Sequence, residues 1–111
     1  MLVAFCTEGQ MGVEEVVKEC SSWIPLLVIK HDGKTVLPTF ISEEICKKFC
    51  KKNLPKDWFF GCVNLTYEDV EVLATKDLEV LEFTFPRLLK DAFEFGIEIH
   101  EFAGEVEFKA V

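Results

Sequence analysis

Two short apolar runs, residues 26–30 and 36–41, stand on either side of Asp32-Gly33. Runs of this length, partly β-branched and bounded by turn residues, predict strands. Asp-Gly is the strongest short hairpin signal, because both central residues of a type I′ turn need positive φ. That turn sets Lys30 opposite Thr35, Ile29 opposite Val36, Val28 opposite Leu37 and Leu27 opposite Pro38. Both faces of the ribbon are then apolar, so it is covered on both sides or forms an interface. Pro38 has no N–H to give to a ladder, which predicts an edge or a bulge on its outer side.

After the ribbon the apolar period changes from two to helical. Ser42 is a good N-cap, Glu43 and Glu44 fall in the first turn, and Lys51 and Lys52 in the last, all favourable to the helix dipole. Ile45, Cys46, Phe49 and Cys50 form one stripe, and Asn53 and Pro55 stop the helix. Elsewhere, residues 1–6 predict a strand. Thr7 and Gln10 form a capping-box pattern before a helix carrying Val13, Val16, Val17 and Cys20. Residues 59–65 predict a core strand with a bulge at Gly61. Thr66 and Asp69 repeat the capping pattern ahead of a short helix to about Lys76, and residues 78–85 read as a strand. Pro86 suits the first position of another helix, with Leu88, Leu89, Ala92 and Phe93 on its apolar face and Gly96 as its C-cap. The tail alternates at period two. With a turn at Ala103-Gly104 it predicts a hairpin in which Ile99 faces Phe108, Ile97 faces Ala110, His100 faces Glu107 and Glu98 faces Lys109. The sum is one α+β domain over residues 1–111, with a mixed or antiparallel sheet of about five or six strands and three or four helices.

Residues 24–49 resemble the start of the SseB N-terminal-type module of small bacterial proteins. The likeness rests on the apolar strand at 24–29, Gly33, Leu37-Pro38 with Phe40, and the helix start Ser42-Glu43-Glu44. It implies an α+β fold and a protein-interaction or accessory role, and it brings no catalytic residues with it.

Composition narrows the function classes. Half of the 111 residues are hydrophobic, with 11 Phe, 2 Trp and 1 Tyr, more aromatic surface than one such domain hides with ease. Excess apolar surface points to a partner, and the expected use is a homodimer formed through an open strand edge. No apolar run nears the ~20 residues that span a bilayer, and the start MLVAFCTEGQ has no basic n-region, so a cytoplasmic protein without a membrane role is expected. The net charge of −8 is uneven: residues 1–56 hold eight lysines against seven acids, and residues 57–111 hold four basic residues against thirteen acids. Such a field repels nucleic acid and either attracts a basic partner or serves solubility. Scarce Ser, Thr, Asn and Gln beside abundant Lys and Glu is a composition that some thermophiles share.

Candidate chemistry is sparse. Five cysteines, Cys6, Cys20, Cys46, Cys50 and Cys62, adjoin apolar positions and read first as buried hydrophobes. Cys46 and Cys50 share a helix face, so a thiol or metal role for that pair is one alternative. His31 sits by a turn, and His100 with Glu107 is the one His–carboxylate pair the expected tail hairpin makes. Lys47, Lys48, Lys51, Lys52 and Lys56 run into Trp58, Phe59 and Phe60, so a pocket for a ligand or substrate in this region is the other alternative. Binding residues are therefore sought at Trp58, Lys51, Lys52, His100 and Glu107, with no catalytic residue, metal or cofactor assigned. The leading expectation is a non-enzymatic interaction or accessory module that binds protein or itself.

Overall fold

The structure, a computed structural model, describes residues 1–7, 23–66, 68–69, 73, 78–89, 93–101 and 107–110. Seven strands and one helix have their bounds among these residues. They are β1 (Leu2–Thr7), β2 (Trp23–His31), β3 (Lys34–Phe40), α1 (Glu43–Asn53), β4 (Phe59–Asn64), β5 (Leu78–Phe83), β6 (Glu94–Glu101) and β7 (Glu107–Ala110). The strands make one mixed sheet in which only the β3–β5 pair is parallel.

The hairpin turn forms as its residues dictate. Asp32 and Gly33 take φ of 48° and 74°, and Ile29, Lys30 and His31 pair with Val36, Thr35 and Lys34. The ladder then ends sooner than expected. Val28 and Leu27 stand opposite Gly96 and Ile97 of β6, while Leu37 and Pro38 stand opposite Val80 and Leu81 of β5. β1 enters where the ribbon opens, with Phe5 at Leu26 and with Leu2 and Val3 at Phe40 and Thr39. On its other side β1 pairs along its whole length with β4, which in turn pairs with β7.

Pro38 is therefore buried inside the sheet and lies on no edge. Along a strand, successive residues turn their N–H and C=O to opposite sides. Ile41 N–H donates to the Phe83 carbonyl at 3.2 Å, which sets the odd residues of β5 toward β3 and Leu37 and Thr39 of β3 toward β5. The nitrogen of Pro38 points the other way, into the gap between the Ile29–Val36 pair and the Val3–Thr39 pair, where no ladder bond is lost.

Both faces of the sheet are covered, as the apolar ribbon requires. Val3, Phe5, Ile24, Leu26, Val28, Leu37 and Val63 form one core layer with Leu65, Leu73 and Leu78. Ala4, Cys6, Leu27, Ile29, Phe40, Cys62 and Phe83 form the other, closed by Cys46, Phe49, Cys50 and Leu54. Phe49 anchors this second layer, with ring centroids 4.8 Å from Phe83, 5.1 Å from Phe40 and 6.4 Å from Phe95. The α1 caps match expectation: Ile45 N–H donates to Ser42 Oγ at 3.3 Å, and Leu54 N–H to the Cys50 carbonyl at 2.9 Å.

Other expectations need correction. The helix expected from Pro86 to Gly96 is not seen among the described residues: residues 84–89 have no regular structure, and Glu94 opens β6. The reason is local capture of the backbone. Asn53 Nδ2 donates to the Arg87 carbonyl at 2.9 Å, its Oδ1 accepts from Leu89 N–H at 2.8 Å, and Lys52 Nζ donates to the Pro86 carbonyl at 3.3 Å. Gly96 is no C-cap; it lies in β6 beneath the Lys30 side chain, whose Cε would stand 3.0 Å from an added Cβ. Gly61 is no bulge, since it stays in register with Phe5 on one side and Ala110 on the other. The tail does not fold on itself either: β6 pairs with β2 and β7 with β4. An alternating segment fits any strand that offers a matching face, and the open side of β2 is longer and more apolar than the tail's own second arm.

Among the described residues α1 is the one helix with bounds, so three or four helices are not seen there, although residues 68, 69 and 73 are also helical. The Thr66–Asp69 cap does form, with Asp69 N–H donating to Thr66 Oγ1 at 3.2 Å and Thr66 N–H to Asp69 Oδ2 at 3.1 Å. Most of the helix expected after it, and the one expected over residues 7–20 apart from Thr7, lie outside the described residues; Thr7 itself ends β1. Among the described residues no helix is long and apolar enough to cross a membrane.

Candidate functional site

Where α1 ends, the chain turns back and enters β4, and a hollow of about 210 Å³ opens at that corner. The turn is short because Trp58 N–H donates to the Pro55 carbonyl at 3.1 Å. Cys50, Lys51, Leu54, Pro55, Lys56, Trp58 and Phe60 line the hollow. Its floor is apolar and its rim carries two lysines. Lys51 and Trp58, both sought from the sequence, meet here. Lys52 does not: one residue further round the helix, it turns to the Pro86 carbonyl. Lys48 is also diverted, pairing with Glu44 at 2.9 Å, and this exposed contact lowers the Glu44 carboxyl below its ordinary range.

His100 and Glu107 are placed on different strands. The register partner of His100 is Ile24 and that of Glu107 is Asn64, so the sheet does not set the two opposite each other. His31 stacks on Phe93 with centroids 4.6 Å apart and lies 3.4 Å from Asp32.

The thiols converge more than their spacing suggested. Cys46 lies within hydrogen-bonding reach of Cys50 on its own helix and of Cys62 on β4, and all three are buried. The hydrogen bond with Cys50, reinforced by burial and opposed in part by the bond with Cys62, pushes the Cys46 thiol well above the ordinary thiol range. Since the thiolate is the nucleophile and the metal ligand, this packing disfavours both uses at Cys46. Among the described residues no three His, Cys, Asp or Glu side chains are grouped to hold a metal ion.

A second surface was missed by sequence reasoning. β5 pairs with β3 alone among the described residues, leaving its outer edge open. Val80 and Leu81 on this edge are 38% and 50% exposed, and Phe85 and Leu88 just beyond it 59% and 60%. On the face that carries Leu81, a crevice of about 80 Å³ is lined by Ile29, Val36, Leu81, Phe83, Arg87, Leu89 and Phe93. The signal was in the pattern of residues 78–83, LEVLEF. Its glutamates are three apart, so each face of the strand carries one charge and neither face is wholly apolar, unlike a strand buried on either side.

No protein-family model, curated protein or solved structure matches this chain.

Proposed function

We propose that the chain is a non-enzymatic interaction module of the cytoplasm, working as an accessory protein that binds protein through the outer edge of β5 and the segment that follows. One observation carries this reading: four large apolar side chains, Val80, Leu81, Phe85 and Leu88, are exposed within a single short stretch beside an open strand edge. An open strand edge with exposed apolar side chains on both its faces is a docking site or an aggregation liability. Glu79 and Glu82 interrupt it and guard against unselective pairing. The resemblance of residues 24–49 to SseB N-terminal-type modules points to the same class of role. Sedimentation velocity and affinity capture test the reading with the chain and its Leu81→Lys variant. Association, with itself or another protein, is expected to be lost in the variant while its unfolding midpoint stays unchanged; association of equal strength in both would remove this surface.

The hollow beside Trp58 supports a second reading, a small ligand-binding site. A Trp and a Phe side chain below two lysines suit a planar anion small enough for about 210 Å³. Quenching of tryptophan fluorescence by an aromatic carboxylate, absent in Trp58→Phe, is the expected result if this site is used.

A further inference from the structure

From the β5 edge we infer the chemistry of the partner: an extended segment with the order basic, apolar, apolar, basic, added as a strand beside Glu79–Glu82. This rests on the proposed use of that edge and goes beyond it by choosing between a second copy of the chain and a different protein.

The odd residues of β5 turn their backbone groups to β3, as the bond from Ile41 N–H to the Phe83 carbonyl shows. Val80 and Glu82 therefore turn theirs outward, where an added strand pairs with them. The four residues at the centre of the edge are Glu79, Val80, Leu81 and Glu82, all exposed. Their inner neighbours on β3 give the glutamates no cation, since Glu79 stands beside Val36 and Glu82 beside Thr39. Among the described residues neither glutamate has an ion pair.

Among the described residues a second copy offers this edge no matching strand. In a two-fold antiparallel pair, facing residues come from the same face of the strand, and each contact occurs twice. Glu79 can then face only Glu79, Leu81 or Phe83 of the copy, and Glu82 only Leu78, Val80 or Glu82. Every symmetric register within β5 sets each carboxylate against an apolar side chain or another carboxylate. Arg87 is the nearest cation in the described chain beyond β5: its backbone leaves the strand line, its N–H donating to the Phe85 carbonyl and its carbonyl accepting from Asn53, so it takes no place in a continued ladder, although it lines the crevice beside Leu81 and Phe83.

A partner with lysine or arginine opposite Glu79 and Glu82, and apolar residues opposite Val80 and Leu81, meets all four positions. Facing opposite charges and facing apolar pairs each stabilise a ladder. The pattern reads alike in both directions, so parallel and antiparallel addition are both open to it.

Three labelled peptides test this on the full chain by fluorescence anisotropy, with central residues Lys-Val-Val-Lys, Glu-Val-Val-Glu and Val-Lys-Lys-Val. The first is expected to bind about tenfold or more tighter than the others, and to weaken as salt is raised. The double variant Glu79→Lys, Glu82→Lys, checked for its fold by circular dichroism, is expected to prefer the acidic peptide. Equal binding of all three peptides, lost in Leu81→Lys, would overturn the choice of partner and leave the edge standing as the working surface. A chain that dimerises through β5 in preference to the basic peptide would overturn it too. If no peptide binds and Leu81→Lys changes no association of the protein, the inference and the reading beneath it both fail.

Discussion

The hairpin with its helix, Trp23 to Asn53, and the β5 edge with the residues after it are built from the same kinds of side chain, and they end in opposite situations. In the first region both faces of the ribbon are buried, β6 and β5 flank it, and the helix ends are capped. In the second, a six-residue strand pairs on one side only among the described residues and leaves Val80 and Leu81 in solvent. An apolar run states that a segment wants cover; whether it receives cover depends on strand order, which no local pattern encodes. The difference separates side chains that hold the fold from side chains left exposed.

The two regions differ most at Phe49. It is fully buried against Phe40, Phe83 and Phe95, so Phe49→Ala is expected to cost about 3–5 kcal/mol in urea unfolding. Leu88→Ala, in the exposed stretch, should lie within about 0.5 kcal/mol of the parent. Similar losses from both would erase the distinction.

Asn53 joins the two regions, since its amide fastens residues 87 and 89 to the end of α1. Asn53→Ala should cost about 2 kcal/mol through the lost hydrogen bonds and expose residues 84–89 to limited proteolysis. A stable variant cleaved no faster would mean that the segment is held by its side chains instead. In the hairpin turn, Gly33 sits at φ 74°, and Gly33→Ala should cost on the order of 1 kcal/mol of strain in the same unfolding assay.

The smallest effect near neutral pH is that of Cys46. Its thiol pKa is raised in the folded chain above the ordinary 9.0, so the folded state keeps a proton that the unfolded chain releases. That contribution is fully present below the unfolded value and is lost as pH rises above it, toward the raised folded value. Unfolding midpoints should therefore fall on the alkaline side, and less steeply in Cys46→Ala. A parallel decline in both would show that the thiol does not contribute.

What could be read from residues alone follows the range of the forces involved. Asp32-Gly33, Ser42 and the Thr66–Asp69 pair were legible because turns and caps are settled within four residues. The strand at residues 59–64 was legible from its composition. The pairing of the tail was not: residues 97–101 and 107–110 each present an alternating face, and the partners they meet, β2 and β4, lie far away in sequence. Residues 86–96 deceived for a related reason. Their helical spacing was real, yet Asn53, read only as a helix stop, holds the backbone at residues 87 and 89. At the candidate site, Lys51 and Trp58 were legible as neighbours in a basic and aromatic run, whereas Lys52 turned elsewhere with the helix phase. For Val80 and Leu81 the one charge on each face of residues 78–83 was a local signal, but that the outer side of β5 pairs with no described strand followed only from the order of the sheet.

On the proposed function β5, and neither the buried ribbon nor the hollow by Trp58, is the working surface. Amide hydrogen exchange of the full chain, with and without the basic-apolar-apolar-basic peptide, tests it most directly. New protection at Val80 and Glu82, whose N–H groups face outward, with no change along residues 50–60, is the predicted result. Protection confined to residues 50–60, or none along β5 at saturating peptide, would contradict it.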